Sequence, residues 1–204
     1  MRRASRIRGR SAEDNGLTLL EILMVAALFG IMAGVLLTGF LTGRNSYLSA
    51  DAYIHVQQQA RQAFDIMTKE LRNAGNVNVP AAQRLDFQVD QGFETTICGG
   101  ICWGDGTTVG SWVHYAVDPV NTRLVRFTSA NPGDPMPGGC AGCRVLANDV
   151  NVAPTATSFS YNVANRTITC LLQILRTSPQ LPGGSMGTQP PPSPLRTQVQ
   201  LRNP

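Results

Sequence analysis

An α+β fold is predicted for this chain: one long N-terminal helix that crosses a membrane, with a small antiparallel β-sheet packed on its C-terminal half. Three observations carry the prediction. Residues 22–41 read ILMVAALFGIMAGVLLTGFL, an apolar run in which Thr38 is the only clearly polar side chain. Residues 48–74 hold no proline and no glycine and are rich in good helix formers. After Gly75 the texture changes to short β-branched or alternating segments separated by Gly, Pro, Asn and Asp.

The first 16 residues read as a leader outside the fold. They carry Arg2, Arg3, Arg6, Arg8 and Arg10 against Glu13 and Asp14, so they account for +3 of the formal net charge of +4. Such a basic flank stays in the cytoplasm, which sends the rest of the chain outward. The near-neutral remainder gives no electrostatic case for nucleic-acid binding. The apolar run, about 20 residues, matches a bilayer's hydrocarbon core. An ordinary secretory signal peptide has a shorter core and a small-residue cleavage site after it. Leu41-Thr42-Gly43-Arg44-Asn45 is no such site. A plain signal anchor would explain the run but gives no reason for Glu21, an acid near its start. Ionisable groups at membrane depth are costly and point to a function and a partner.

Residues 17–41 are thus the membrane segment, and residues 42–75 continue the helix on the far side. Ala60, Phe64, Met67, Leu71 and Ala74 recur every three or four residues and form one stripe. Asp65 and Lys69 suit a favourable i, i+4 pair, and Gly75 suits the left-handed position beyond a helix end. A helix over 17–74 would span ~87 Å at ~1.5 Å per residue. Gly39 and Gly43 invite a kink or a melted stretch. Residues 76–204 form the β-rich part. Strands are predicted at Arg84–Val89, Glu94–Cys98, Trp112–Val117, Thr122–Phe127, Ser158–Val163, Thr167–Arg176 and Thr197–Arg202. Asp118-Pro119-Val120-Asn121 reads as the turn of a hairpin. Residues 128–144 and the Pro/Gly-rich 178–194 read as loops.

The spacing Gly16-Leu17-Thr18-Leu19-Leu20-Glu21, in register with the apolar run, resembles the leader junction of type IV pilins and pseudopilins. Leu17 stands where that family usually has Phe. The stretch QARQAFDIMTKELRNAG at 59–75 and the ending TQVQLRN at 197–203 resemble PilW-type minor pilins and pseudopilin J of type II secretion. The resemblance covers mainly the first 75 residues and implies a pilin-like fold. It implies cleavage after Gly16 by a prepilin peptidase and methylation of the new amine of Leu17. It also implies an assembly role for Glu21 and Thr18, with the Glu21 carboxylate meeting the Leu17 amine of a neighbouring subunit. The implied partners are other major and minor pilins, an inner-membrane assembly platform and the bilayer. The implied location is the inner membrane with an exported C-terminal part, then the pilus. Gly30 and Gly34 form a G-x-x-x-G face suited to close helix packing.

Five cysteines fall in the exported part. Cys98-x3-Cys102 and Cys140-x2-Cys143 read as structural disulfides in an oxidising compartment. A tetrahedral zinc site built from the same four thiols competes with that reading, and it would make the chain a membrane-anchored metal-binding module. With five cysteines one is left over, and Cys170, inside a strand, is the natural candidate, a distant partner being the alternative. Arg144, not His, follows Cys143, which speaks against covalent haem. His55 and His114 have no acidic or nucleophilic companion in sequence. No calcium loop, phosphate loop or nucleophile elbow is present, so no catalytic residue and no cofactor are expected. Trp103, Trp112, Phe127 and Tyr161 read as packing aromatics.

Overall fold

The structure, a computed structural model, describes residues 18–177, 185–187 and 194–201. The leader 1–16 and most of the 178–194 loop lie outside the described residues. The chain divides into two compact units, Met1–Arg44 and Asn45–Pro204. One α-helix, α1 (Leu19–Leu71), contributes to both.

In the first unit α1 has a defined start. Thr18 is its cap: the Thr18 Oγ1 accepts the Glu21 N–H at 3.3 Å, and the Thr18 carbonyl accepts the amides of Glu21 and Ile22. Every described residue of this unit is exposed, and the helix is long and apolar enough to cross a membrane. Thr38 is tolerated inside the apolar run because its hydroxyl bonds back to the Gly34 carbonyl at 2.7 Å. Thr42 does the same to Thr38 at 2.9 Å. The chain stays helical through Gly39 and Gly43, so the melted stretch those glycines suggested does not form.

The second unit contains the α-on-β packing. Its strands are β1 (Ala74–Ala81), β2 (Arg84–Glu94), β3 (Gly100–Gly104), β4 (Trp112–Asp118), β5 (Arg123–Ser129), β6 (Arg144–Ala147), β7 (Ser158–Asn162), β8 (Thr167–Leu172), β9 (Leu175–Thr177), β10 (Ser185–Gly187) and β11 (Leu195–Gln200). They form three antiparallel sheets rather than one: β1-β2-β4-β5-β6 with β3 attached to β2, then β11-β8-β7, then the pair β10-β9. The buried face of the helix is Ala52, Val56, Ala60, Ala63, Met67 and Leu71. From Val56 to Leu71 this face packs into one core with Leu85, Phe87, Val113, Tyr115 and Leu124 of the large sheet and Ile168, Leu172 and Val199 of the three-stranded one. The stripe therefore begins two turns earlier than Ala60, and Phe64 lies at its half-buried margin.

Several boundaries differ from the sequence expectation. The helix ends at Leu71, because the Asn73 carbonyl is taken by the Asp90 amide at 3.0 Å and Ala74 already pairs with Val89. Gly75 is thus inside β1 and caps no helix. It is glycine because a Cβ there would run into the Trp103 indole ring. Glu94–Cys98 is the end of β2 followed by turns, not a strand. The expected strand Thr167–Arg176 is interrupted at Gln173 and Ile174. The last strand ends at Gln200. The 128–144 stretch is bounded by β5 and β6 and contains a short 3₁₀ turn, Gly138–Cys140. Inside the 178–194 stretch, β10 pairs with β9. The hairpin over Asp118-Pro119-Val120-Asn121 joins β4 to β5.

Among the described residues, Glu70 links the helix to the sheet through two hydrogen bonds. Glu70 Oε2 accepts from the Tyr115 hydroxyl at 2.7 Å and from Arg126 Nε at 2.9 Å. Asp65 and Lys69 form no ion pair with each other among the described residues; the next residue supplies the helix's charged contact instead. Burial, then the charge of Glu70 and its hydrogen bond, push the Tyr115 phenol well above its ordinary range. Glu70→Ala would leave a fully buried hydroxyl without its acceptor, costing about 1–3 kcal/mol. Urea unfolding of the detergent-solubilised protein should therefore show a lowered midpoint, with Tyr115→Phe/Glu70→Ala less affected than the two single changes summed.

Candidate functional site

At the start of α1, Glu21 is exposed in the first helical turn, where the unsatisfied amides of the helix end favour a carboxylate. Thr18, read from sequence as an assembly residue, has a local task as well: it caps the helix through the amide of Glu21. Gly16 and Leu17 lie outside the described residues. Gly30 and Gly34 are exposed, and a Cβ added at either meets nothing. The first unit thus presents an uncovered apolar helix surface with one acid at its start.

The thiols pair with their nearest neighbours. Cys98 joins Cys102 with Cα atoms 5.4 Å apart, and Cys140 joins Cys143 at 5.1 Å. Cys170, on β8, is free and fully buried. No group of three or more His, Cys, Asp or Glu among the described residues is placed to hold a metal ion. The four-thiol site of the metal-binding alternative is therefore not assembled.

Sequence reasoning missed a buried polar cluster on the sheet face opposite the helix. Alternation puts Arg84, Asp86 and Gln88 of β2, His114 of β4, and Val125, Phe127 and Ser129 of β5 on that face. Register then makes His114 the neighbour of Asp86 on one side and Phe127 on the other. His114 Nδ1 lies 2.7 Å from Asp86 Oδ1, and its Nε2 lies 2.6 Å from Ser129 Oγ. Arg84 Nε donates to the same Asp86 oxygen at 2.8 Å, and its Nη2 lies 3.1 Å from His114 Nδ1. The imidazole stacks on Phe127 with centroids 4.6 Å apart. His114 therefore has the acidic companion that its sequence neighbourhood lacks.

An Asp–His–Ser order invites comparison with a nucleophile and its base, but the remaining contacts serve a different end. The Ser129 hydroxyl donates to the Asn131 carbonyl at 3.0 Å, into the following loop and away from the ring. The second Asp86 oxygen accepts the Gly133 amide of that loop at 2.8 Å. Farther along, Met136, Cys140 and Cys143 pack on Ala116, Val125 and Phe127. The cluster is a clamp that seats residues 130–143, with their disulfide, over this face of the sheet. Burial alone would raise the Asp86 pKa. The hydrogen bonds from His114, Arg84 and Gly133, with the charge of His114, outweigh burial and hold it below the usual carboxylate range.

A cleft of about 410 Å³ opens beside the end of α1, lined by Lys69, Glu70, Asp90, Asp105, Arg126 and Arg144 among others. Its charges are of both signs, and two of them are spent on the Glu70–Arg126 pair. Asp105 is held below its ordinary pKa: slight burial raises it, but the Thr107 and Thr108 amides, the Thr107 hydroxyl and the charge of Arg126 prevail.

Two measurements follow. Burial pushes the Cys170 thiol up to about 12; the non-reduced protein should bind no alkylating reagent when native and one equivalent per chain in denaturant. For Asp86 the depressed folded value means that its stabilisation is complete above the unfolded value of about 4 and is lost as pH falls through the folded value. Asp105, Asp118 and Asp134 shift in the same direction. Asp86→Asn should thus lower the urea midpoint at neutral pH and remove part, not all, of its decline below about pH 4.

Compared with known proteins, the chain matches no family model, no curated protein and no solved structure.

Proposed function

We propose that this chain is a prepilin-like subunit with a pilin-like fold, acting as a minor pilin of a type IV pilus in the initiation of assembly or at the tip. One observation carries the reading: Glu21 is an acid in the first turn of a long apolar helix and stands in register with Thr18 and Gly16. The uncovered surface of residues 19–44 supports it, since a helix face with no partner inside its own chain is suited to lipid and to neighbouring helices. In a filament the Glu21 carboxylate pairs with the methylated Leu17 amine of the adjacent subunit. Residues 17–41 hold the protein in the inner membrane until a prepilin peptidase has cut after Gly16 and the assembly platform takes it up. The exported unit supplies the surface that distinguishes this subunit from others. A minor pseudopilin of type II secretion draws on the same residues, and the machine whose subunits copurify with the protein separates the two.

The test has two arms. Mass spectrometry of the membrane-assembled protein should give a mature chain that begins at methylated Leu17; a start beyond Leu41 overturns the reading. Glu21→Ala should leave cleavage and membrane level intact but reduce copurification with other filament subunits sharply. Leaving one member of a buried charge pair alone costs about 3–5 kcal/mol. Wild-type recovery of this variant removes the assembly role of the carboxylate.

A further inference from the structure

The cover on the sheet face opposite the helix, residues 130–143, is fixed at both ends. At its start the Asp86 carboxylate takes the Gly133 amide at 2.8 Å, and Asp134 Oδ2 accepts the Asn131 amide at 3.0 Å. At its end Arg144 enters β6 and pairs with Arg126. Between these points Met136 and the Cys140–Cys143 disulfide rest on Ala116, Val125 and Phe127. This disulfide is set differently from the other one. Cys140 and Cys143 are both half-buried, whereas Cys102 is 3% exposed. Cys140 has φ 57°, in the left-handed region that a residue with a Cβ disfavours; in the Cys98–Cys102 turn the left-handed residue is Gly99. Gly138, Gly139 and Gly142 flank the bond, and a Cβ at any of them would meet nothing within 4 Å. The glycine flank of this small ring is thus open to a second molecule.

We propose that Cys140–Cys143 is a reversible redox site, opened by a protein dithiol, and that its reduction releases residues 134–143 from the sheet while the Asp86–Gly133 bond and β6 keep both ends attached. A thiolate of the dithiol attacks one sulfur of the pair, and the S–S bond breaks with its electrons on the other sulfur, which takes up a proton. The second thiol of the dithiol then displaces the mixed disulfide. Two electrons and two protons have passed to Cys140 and Cys143, and the reductant leaves as a disulfide. Exposed bonds in strained settings are the ones that exchange in this way. Once the bond is open, Cys140 can leave the left-handed region, and the contact on Ala116, Val125 and Phe127 loses the ring that shapes it. Little global stability goes with it, because the ring spans a sequence separation of only 3. The cover therefore opens and recloses with the sheets intact. None of this depends on the filament-subunit reading.

The test uses the full-length protein in detergent, titrated with dithiothreitol, alkylated and mapped by mass spectrometry. Cys140 and Cys143 should become labelled at a dithiothreitol concentration about tenfold below that needed for Cys98 and Cys102, with Cys170 unlabelled throughout as the check on folding. Reduced thioredoxin, as a protein dithiol, should open Cys140–Cys143 and leave Cys98–Cys102 closed. Hydrogen exchange reads the cover itself. In Cys140→Ser/Cys143→Ser the amides of residues 134–143 should exchange about tenfold faster than in the oxidised wild type. Those of Leu85–Phe87 in β2 should keep their wild-type rates, and Cys98→Ser/Cys102→Ser should leave residues 134–143 unchanged. Joint opening of the two disulfides, earlier opening of Cys98–Cys102, or labelling of Cys170 before Cys140 overturns the proposal. So does a pair that reduced thioredoxin leaves closed, an unchanged rate over 134–143, or equal acceleration in β2.

Discussion

The β-rich unit depends on how α1 packs against the sheets. Three of the positions that make this contact are alanines, Ala60, Ala63 and the adjoining Ala74, and all are fully buried. With so little side chain on the helix, the volume between the layers is filled from the sheet side, by Phe87, Tyr115, Leu85 and Leu124. Val56, Met67 and Leu71 occupy the remaining gaps. A larger residue at Ala60 or Ala63 would have to push the layers apart, and overpacking of this kind is costly because interiors are already close to crystal density. Small helix, large sheet is the rule of this core.

The sheet has two faces that need cover, and the chain covers them by different means. Toward the helix the contact is apolar, with the Glu70–Tyr115–Arg126 bonds at its margin. On the other face there is no second helix among the described residues. A loop of irregular structure is laid across it, and such a segment has backbone groups that must find partners. Asp86 accepts one of them, from Gly133, and Ser129 satisfies another, at Asn131. The polar cluster is therefore not a defect in a hydrophobic layer but the means by which an irregular cover is held on it.

The long helix was legible in the sequence because apolar content and helix propensity agree from Leu19 to Leu71, and because the stripe repeats over several turns. Its end was not legible: Gly75 looks like a cap, but what stops the helix is capture of Asn73 and Ala74 by β2, a contact with residues 89 and 90. β1 was missed for a related reason, since Asn76, Asn78 and Pro80 disguise a strand whose pairing along β2 sets its course. The hairpin of β4 and β5 could be read from its turn. The Asp86–His114–Ser129 cluster could not, because strand register brings the three together and nothing local in the sequence sets register across separate strands. The alternation of the predicted strands does place Asp86 and His114 opposite their apolar neighbours, but Ser129 falls in the stretch read as a loop. Thr18 carried a visible signal that went unused: Thr-x-x-Glu before an apolar run is a capping pattern.

Both disulfides close very small rings, with sequence separations of 4 and 3. A bond between such near neighbours removes little freedom from the unfolded chain compared with one that ties distant segments. Its advantage lies elsewhere, in the order of events during folding. Each cysteine meets its correct partner by local chain motion alone, on the timescale of closing a short loop, before any strand has found its register. Oxidation can thus run ahead of folding without locking in a wrong topology. Cys170, the odd thiol, is withdrawn into the core once β8 is in place. Maturation of this domain is then limited by the assembly of its sheets, not by the chemistry of its sulfurs.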